Sequence, residues 1–218
     1  MPPATTPREP DLPEQLPPVE LAELDHDATF DEVSIEGSSL TSQRARGVTF
    51  QTARLVHLDL SGSRLEALTI AESVLDACDL ANVHAHRARI RTTRIEGGRL
   101  TGIDLAESAI ADVTFRGCRI DLASFARARL QRVTFEDCLL GHTDLLEARL
   151  DYVRLHRCNL TEADLRGARL THCELRRSDL TGLRGVESLR GAALEWSDIV
   201  GMAGTWAAAL GIEVLDGD

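Results

Sequence analysis

The chain has no lysine, so every basic side chain is an arginine. Proline is absent beyond residue 18, all seven prolines lying between Pro2 and Pro18. No apolar run approaches the roughly 20 residues that a bilayer-crossing helix needs, which excludes a helical membrane span. The N-terminal stretch lacks the basic and then apolar layout of a signal peptide, so a cytoplasmic protein is the plain expectation. No glycine-rich phosphate loop, nucleophile elbow or metal-ligand motif occurs, and no cofactor is implied.

What is present is a ladder. From Phe30 to Leu180 every fifth residue is apolar, and of these 31 positions 29 are Leu, Ile or Phe, the others being Ala45 and Ala85. All five phenylalanines stand in this register: Phe30, Phe50, Phe115, Phe125 and Phe135. Neither the helical period of 3.6 nor the strand period of 2 produces such spacing, so an internal repeat sets the fold. With the apolar centre named i, position i−2 is small or apolar almost throughout (Ala28, Val33, Cys78, Val113, Ala163), with Gln43 the one bulky polar exception. No charged residue occupies i or i−2 across the ladder. The rule is two side chains in and three out.

Charge divides by segment. Residues 1–36 carry a net −9, residues 37–180 a net +2 and residues 181–218 a net −4, so the overall −11 belongs mainly to the ends. Residues 1–26 read as a disordered, proline-rich acidic tail, because their composition cannot bury enough surface to offset ordering. Within them Val19–Leu24 can fold down over the open end of the repeat. Residues 27–187 form the repeat body and 188–218 a helical cap. In the cap Ile199, Met202, Ala203, Trp206 and Leu210 share one helical face, with Ser197 placed to start the helix and Gly211 to end it.

Units such as Ala163-Asp164-Leu165-Arg166-Gly167, Cys158-Asn159-Leu160-Thr161-Glu162 and Cys78-Asp79-Leu80-Ala81-Asn82 resemble the A(D/N)LXX consensus of pentapeptide repeat proteins. The resemblance covers roughly residues 28–187. It implies an all-β solenoid, a right-handed quadrilateral β-helix of about eight coils with a C-terminal capping helix. Four units then make a coil, and residues 20 apart stack at a strand spacing of ~4.8 Å. On that plan Cys78, Cys118, Cys138 and Cys158 line one inward column, with Cys173 one side over, as small buried thiols rather than disulfides or zinc ligands. The resemblance also implies a homodimer through the C-terminal helix, with Ile199, Met202, Trp206 and Leu210 at the interface; a plug without dimerisation fits the residues equally well.

A filled interior leaves no cavity for a substrate, so a non-enzymatic binding protein is expected. The best candidate for a metal is His84 and His86 with Glu66 and Asp104, and a solvated pair beside acids is the simpler reading. Numbering the sides from the one bearing Phe30, the first carries a ridge of Arg89, Arg129, Arg149 and Arg169. The third carries Asp59, Asp79, Asp121, Glu162 and Asp179 against Arg99 and Arg119. The fourth-side column Arg87, Glu107, Arg127, Glu147 alternates in sign. Resemblance to the quinolone-resistance members implies a DNA mimic that binds DNA gyrase or topoisomerase IV through the third side. The near-neutral body supports instead a general protein-interaction rod, since a mimic of DNA needs its negative charge along the body. The acidic tail opposes direct nucleic-acid binding.

Overall fold

An apolar residue at every fifth position can be buried throughout only if the chain changes direction after each unit. The computed structural model, which describes residues 5–215, shows this: a parallel β-solenoid of about eight turns followed by short C-terminal helices. The implied quadrilateral β-helix is the observed architecture. Register is 20 residues throughout the body, with Phe30 on Phe50, Ile90 on Ile110 and Leu130 on Leu150. The rings of Phe115 and Phe135 stack with centroids 4.8 Å apart, and Phe30 and Phe50 do so at 5.2 Å.

Each corner falls at i+2. Residues there, from Asp27 to Arg177, take positive φ, the left-handed region that redirects the backbone. Even Thr52, Thr92 and Leu122 adopt it, against their intrinsic preference. Stacking of the coils therefore overrides local propensity at these corners.

The four sides are not equivalent. On the first and second, neighbouring units fuse into the eight-residue strands Thr69–Asp76, Arg89–Glu96, Ala109–Arg116, Arg129–Glu136 and Arg149–His156. The third and fourth are joined mostly by single bridges, such as Asp79 to Arg99 and Asp104 to Ser124. Their corners are closed by i to i+3 hydrogen bonds, Val83 N–H to Leu80 O at 3.2 Å and Ala88 N–H to Ala85 O at 3.1 Å.

Inside, the centres and i−2 residues fill the rod. The five cysteines are free and buried. Their thiols donate to carbonyls of the preceding coil, Cys118 to Ile95 and Cys138 to Phe115, and buried Ser63, Ser108, Thr143 and Ser178 follow the same rule. Burial pushes the Cys78 thiol up to about 11, which leaves it protonated and unreactive at neutral pH.

Both ends depart from expectation. Residues 1–4 of the predicted tail lie outside the described residues, but 5–26 do not behave as a disordered segment. They run along the rod, and Pro18 bridges to Ser34 through Ser34 N–H to Pro17 O at 2.9 Å and Val19 N–H to Ser34 O at 2.8 Å. Leu24 is buried over the first coil, and its N–H donates to Gln43 Oε1 at 3.2 Å. That bond accounts for the one polar intrusion in the ladder. Low hydrophobicity failed as a guide here because the body supplies the surface on which the segment orders.

At the other end Gly185 stands where the next centre should be, with φ +76°. A 3₁₀ turn, Val186–Leu189, follows, and Leu189 is buried in place of the expected Arg190. The register thereby slips by one, so that Leu194 pairs with Leu175. The predicted single helix is two, α1 (Trp196–Gly201) and α2 (Ala203–Ala209), broken at Met202. Glu195, not Ser197, precedes the first turn. Gly211 does end the helix, with Ile212 N–H donating to Ala207 O and Gly211 N–H to Ala208 O, a Schellman closure. Asp198 Oδ2 accepts the N–H of Arg177 at 3.0 Å and Thr205 Oγ1 that of Gly182 at 3.2 Å, so the helices satisfy donors on the last coil.

Candidate interaction surface

The outward rows decide what the rod can bind, because the interior is closed. A gap among Phe125, Leu130, Phe135 and Leu160 measures about 10 Å³, no more than the space of one water.

On the third side the i−1 residues Ser39, Asp59, Asp79, Arg99, Arg119, Leu139, Asn159 and Asp179 are bridged one to the next. The predicted acids do not form one stripe. Asp59 and Asp79 are adjacent, but Arg99 Nε lies 3.0 Å from Asp79, and Arg99, Arg119 and exposed Leu139 separate that pair from Asp179. Asp121 lies 3.9 Å from Arg119, and exposed Glu162 is 3.4 Å from His142.

Three of these acids also shape the corner. Asp59 Oδ1 accepts the N–H of Ser61, Asp79 Oδ1 that of Ala81 and Asp179 Oδ1 that of Thr181, at 2.9, 2.9 and 3.0 Å. Asn159 does the same for Thr161, and on the fourth side Asp104, Asp144 and Asp164 do so for Ala106, Leu146 and Arg166. These are Asx turns, in which a short side chain mimics a backbone acceptor. The Thr181 hydroxyl and N–H hold the Asp179 carboxyl below its usual range. The signal was in the sequence: Asp and Asn at i−1 concentrate on the two sides whose corners need such a turn.

The first side presents exposed Arg129, Arg149 and Arg169 in direct register, with Arg89 two coils earlier across Ala109. Arg87 and Arg127 flank Glu107 at 3.1 and 4.0 Å, as the alternating column predicts. The candidate metal pair diverges, His84 lying 4.0 Å from Asp104 and His86 3.8 Å from Glu107. No cluster of three metal-ligating side chains occurs among the described residues. No helix among them is long and apolar enough to cross a membrane.

Of the four predicted dimer residues, Met202 is buried and Trp206 packs half-buried against the core. Both pack on the plug. Ile199 is half-buried, and Leu210 stays exposed. The free apolar surface is instead Trp196, Val200, Leu210, Ile212, Val214 and Leu215, with Trp196 80% and Leu210 74% exposed.

A further acid is buried at a corner. Asp112 is only 2% exposed although it stands at an outward corner. It accepts Nε and Nη2 of Arg132, both at 2.7 Å, and Nη2 of Arg8 at 3.1 Å. Arg132 foremost, then Arg8, holds its carboxyl below the usual range.

The body is thus a closed, four-sided parallel solenoid whose faces carry separate charge patterns. Residues 108–184 match the profile of the family described as "Pentapeptide repeat region", and the same five-residue unit continues in register on the N-terminal side, as the resemblance to pentapeptide repeat proteins implies. Among solved structures it is similar to a trypsin-treated form of QnrB1, a plasmid-mediated fluoroquinolone resistance protein, at 14% identity over 91% of this chain and 99% of that one, TM-score 0.44. It is also similar to HetL of the cyanobacterium Nostoc sp. strain PCC 7120, a pentapeptide repeat protein involved in regulating heterocyst differentiation, at 19% identity over 77% and 89%, TM-score 0.33. No curated protein matches in sequence.

Proposed function

We propose that this protein is a non-enzymatic binding rod that docks, as a mimic of DNA, on a type II topoisomerase of the DNA gyrase or topoisomerase IV kind and protects it from inhibitors. The observation that carries the binding reading is the filled, loop-free rod, which leaves only its outer faces for function. Eight coils at ~4.8 Å give a length of roughly 35–40 Å. The topoisomerase as partner rests on the resemblance of the repeats to quinolone-resistance members, with Asp59, Asp79, Asp121, Glu162 and Asp179 as the docking side. In a supercoiling assay with purified gyrase, the protein is expected to inhibit the enzyme or reduce quinolone-induced cleavage. Charge reversal at Asp121 and Glu162, which make no turn-closing bond, should weaken the effect without unfolding the rod. A tenfold excess that changes neither supercoiling nor cleavage removes the topoisomerase reading.

A second reading is favoured by the arginine ridge. Arg129, Arg149 and Arg169 stand exposed in line, and none forms an ion pair among the described residues. Such a row suits an acidic protein surface, Arg being enriched in interfaces. A larger loss on reversing Arg129 and Arg149 than on reversing Asp121 and Glu162 moves the docking face to the first side.

The exposed apolar end around Trp196, Val200 and Leu210 fits a second copy of the chain, giving a homodimer joined end to end. Large apolar patches on a soluble chain mark such contacts. Sedimentation is expected to give a dimer for the full chain and a monomer of 23.8 kDa for Trp196→Asp/Leu210→Asp. A monomer in both cases leaves the helices as a plug alone.

A further inference from the structure

The corner between the first and second sides is covered lengthwise by the chain's own proline-rich segment. Arg8 reaches Asp112 with its backbone N–H at 3.3 Å and Nη2 at 3.1 Å, and Glu9 lies 3.3 Å from Arg94 Nη1. At the other end Pro17 and Pro18 pair with Ser34. The segment thus spans from the coil of Asp112 back to the first. Pro7, Pro10, Leu12, Leu16 and Val19 are half-buried while Arg8, Glu9 and Pro13 are exposed. Seven prolines between Pro2 and Pro18 favour an extended chain without internal hydrogen bonds.

Beneath it the body is shaped to receive such a chain. Ala71, Thr92, Asp112 and Thr114 hold outward positions yet are buried. In the same corner column beyond the segment, Tyr152 is half-buried and His172 exposed. Small side chains form the floor, a buried carboxylate receives an arginine, and Arg94 receives the acid that follows.

We propose that this corner is a docking groove for an extended, proline-rich peptide carrying an arginine followed by an acid, and that residues 7–18 fill it as a resident competitor which a partner's segment of the same chemistry displaces. The groove survives release of the segment, because Asp112 keeps its two bonds to Arg132. The cap survives too, because Leu24 is held separately through Gln43. Nor is the segment zipped to a sheet edge: apart from the Pro18 bridge it has no ladder partner among the described residues, and the Arg8 side chain is largely exposed.

A fluorescently labelled peptide of residues 5–18 tests this by anisotropy against the full chain. A tethered segment competes at a local concentration on the order of mM. The full-length Arg8→Ala/Glu9→Ala variant, with a weakened resident segment and an intact groove, is therefore expected to bind the peptide at least ~10-fold more tightly than the unaltered chain. Adding Asp112→Asn or Arg94→Ala should reverse the gain, as should replacing the arginine of the peptide by alanine. Arg94 is a surface residue, so its variant keeps the test decisive if Asp112→Asn disturbs folding. Equal binding to the unaltered chain and the variant, binding indifferent to Arg94→Ala, or no binding to the variant overturns the proposal.

Discussion

Leu140→Asp is expected to abolish cooperative folding, whereas Leu139→Asp, one residue earlier, leaves the rod intact. Leu140 is a centre, 2% exposed, and faces Phe125, Phe135 and Leu160 across the interior. Its replacement removes a packed side chain, at a cost of about 2–5 kcal/mol, and buries a carboxylate with no partner, at several kcal/mol more. A domain's whole stability is only about 5–15 kcal/mol. In a solenoid each coil is held by its neighbours, so the damage divides the rod into shorter, weaker halves. Leu139 is 39% exposed and bridges Arg119 and Asn159 along the third side. An aspartate there occupies the position of Asp79 in its own unit, can accept the N–H of Gly141 and faces Arg119. Circular dichroism with thermal melting checks the pair. Similar melting of both variants would contradict the inside/outside rule.

Gly185→Ala is expected to loosen the C-terminal cap and destabilise the protein by about 2–5 kcal/mol, the sum of a non-glycine residue at positive φ and an overpacked contact. A Cβ at this position meets backbone rather than a yielding side chain: Arg166 N at 2.5 Å, Arg166 Cα at 2.6 Å and the Leu165 carbonyl carbon at 2.7 Å. Something in the last coil must move. The turn that begins here carries buried Val186 and Leu189 and leads to the helices that satisfy Arg177 and Gly182. Faster hydrogen exchange at those two amides, together with a lower urea midpoint, is the expected signature. Unchanged exchange and midpoint would show that the cap tolerates another route. Loss of the cap also exposes the edge of the last coil, a template for aggregation.

These two sites also mark how far the sequence can be read. The side-chain assignment at Leu139 and Leu140 follows from periodicity alone, because a period of five in a stacked coil admits one register. The departure at Gly185 does not follow from it. The residue that fills the next inward place is Leu189, not Arg190, because a glycine with φ +76° lets the chain tighten into a 3₁₀ turn. The cap shows the same limit: the helical pattern from Ile199 to Leu210 marked helix, but not that Met202 and Trp206 pack on the rod while Trp196, Val200 and Leu210 stay outside. For the acids of the third side, sequence told which face they occupy. The concentration of Asp and Asn at i−1 on two sides also carried the signal that Asp59, Asp79 and Asp179 close turns, but it became readable only once the corner geometry of those sides was known.

The sequence by itself determined which side chains of the ladder point in and which point out, since a local period dictates burial wherever identical units stack. The four-sided solenoid, its 20-residue register, the column of cysteines and the division of charge among faces came with the resemblance of its units to pentapeptide repeats. Only the tertiary structure decided that the first two sides fuse into continuous strands, that the cap slips by one residue, and that the proline-rich segment lies on Asp112 and Arg94. Those outcomes depend on contacts between residues far apart in the chain, Arg8 and Asp112 being 104 positions apart. No periodicity encodes such a contact, because it forms only once the body has built the surface that receives it.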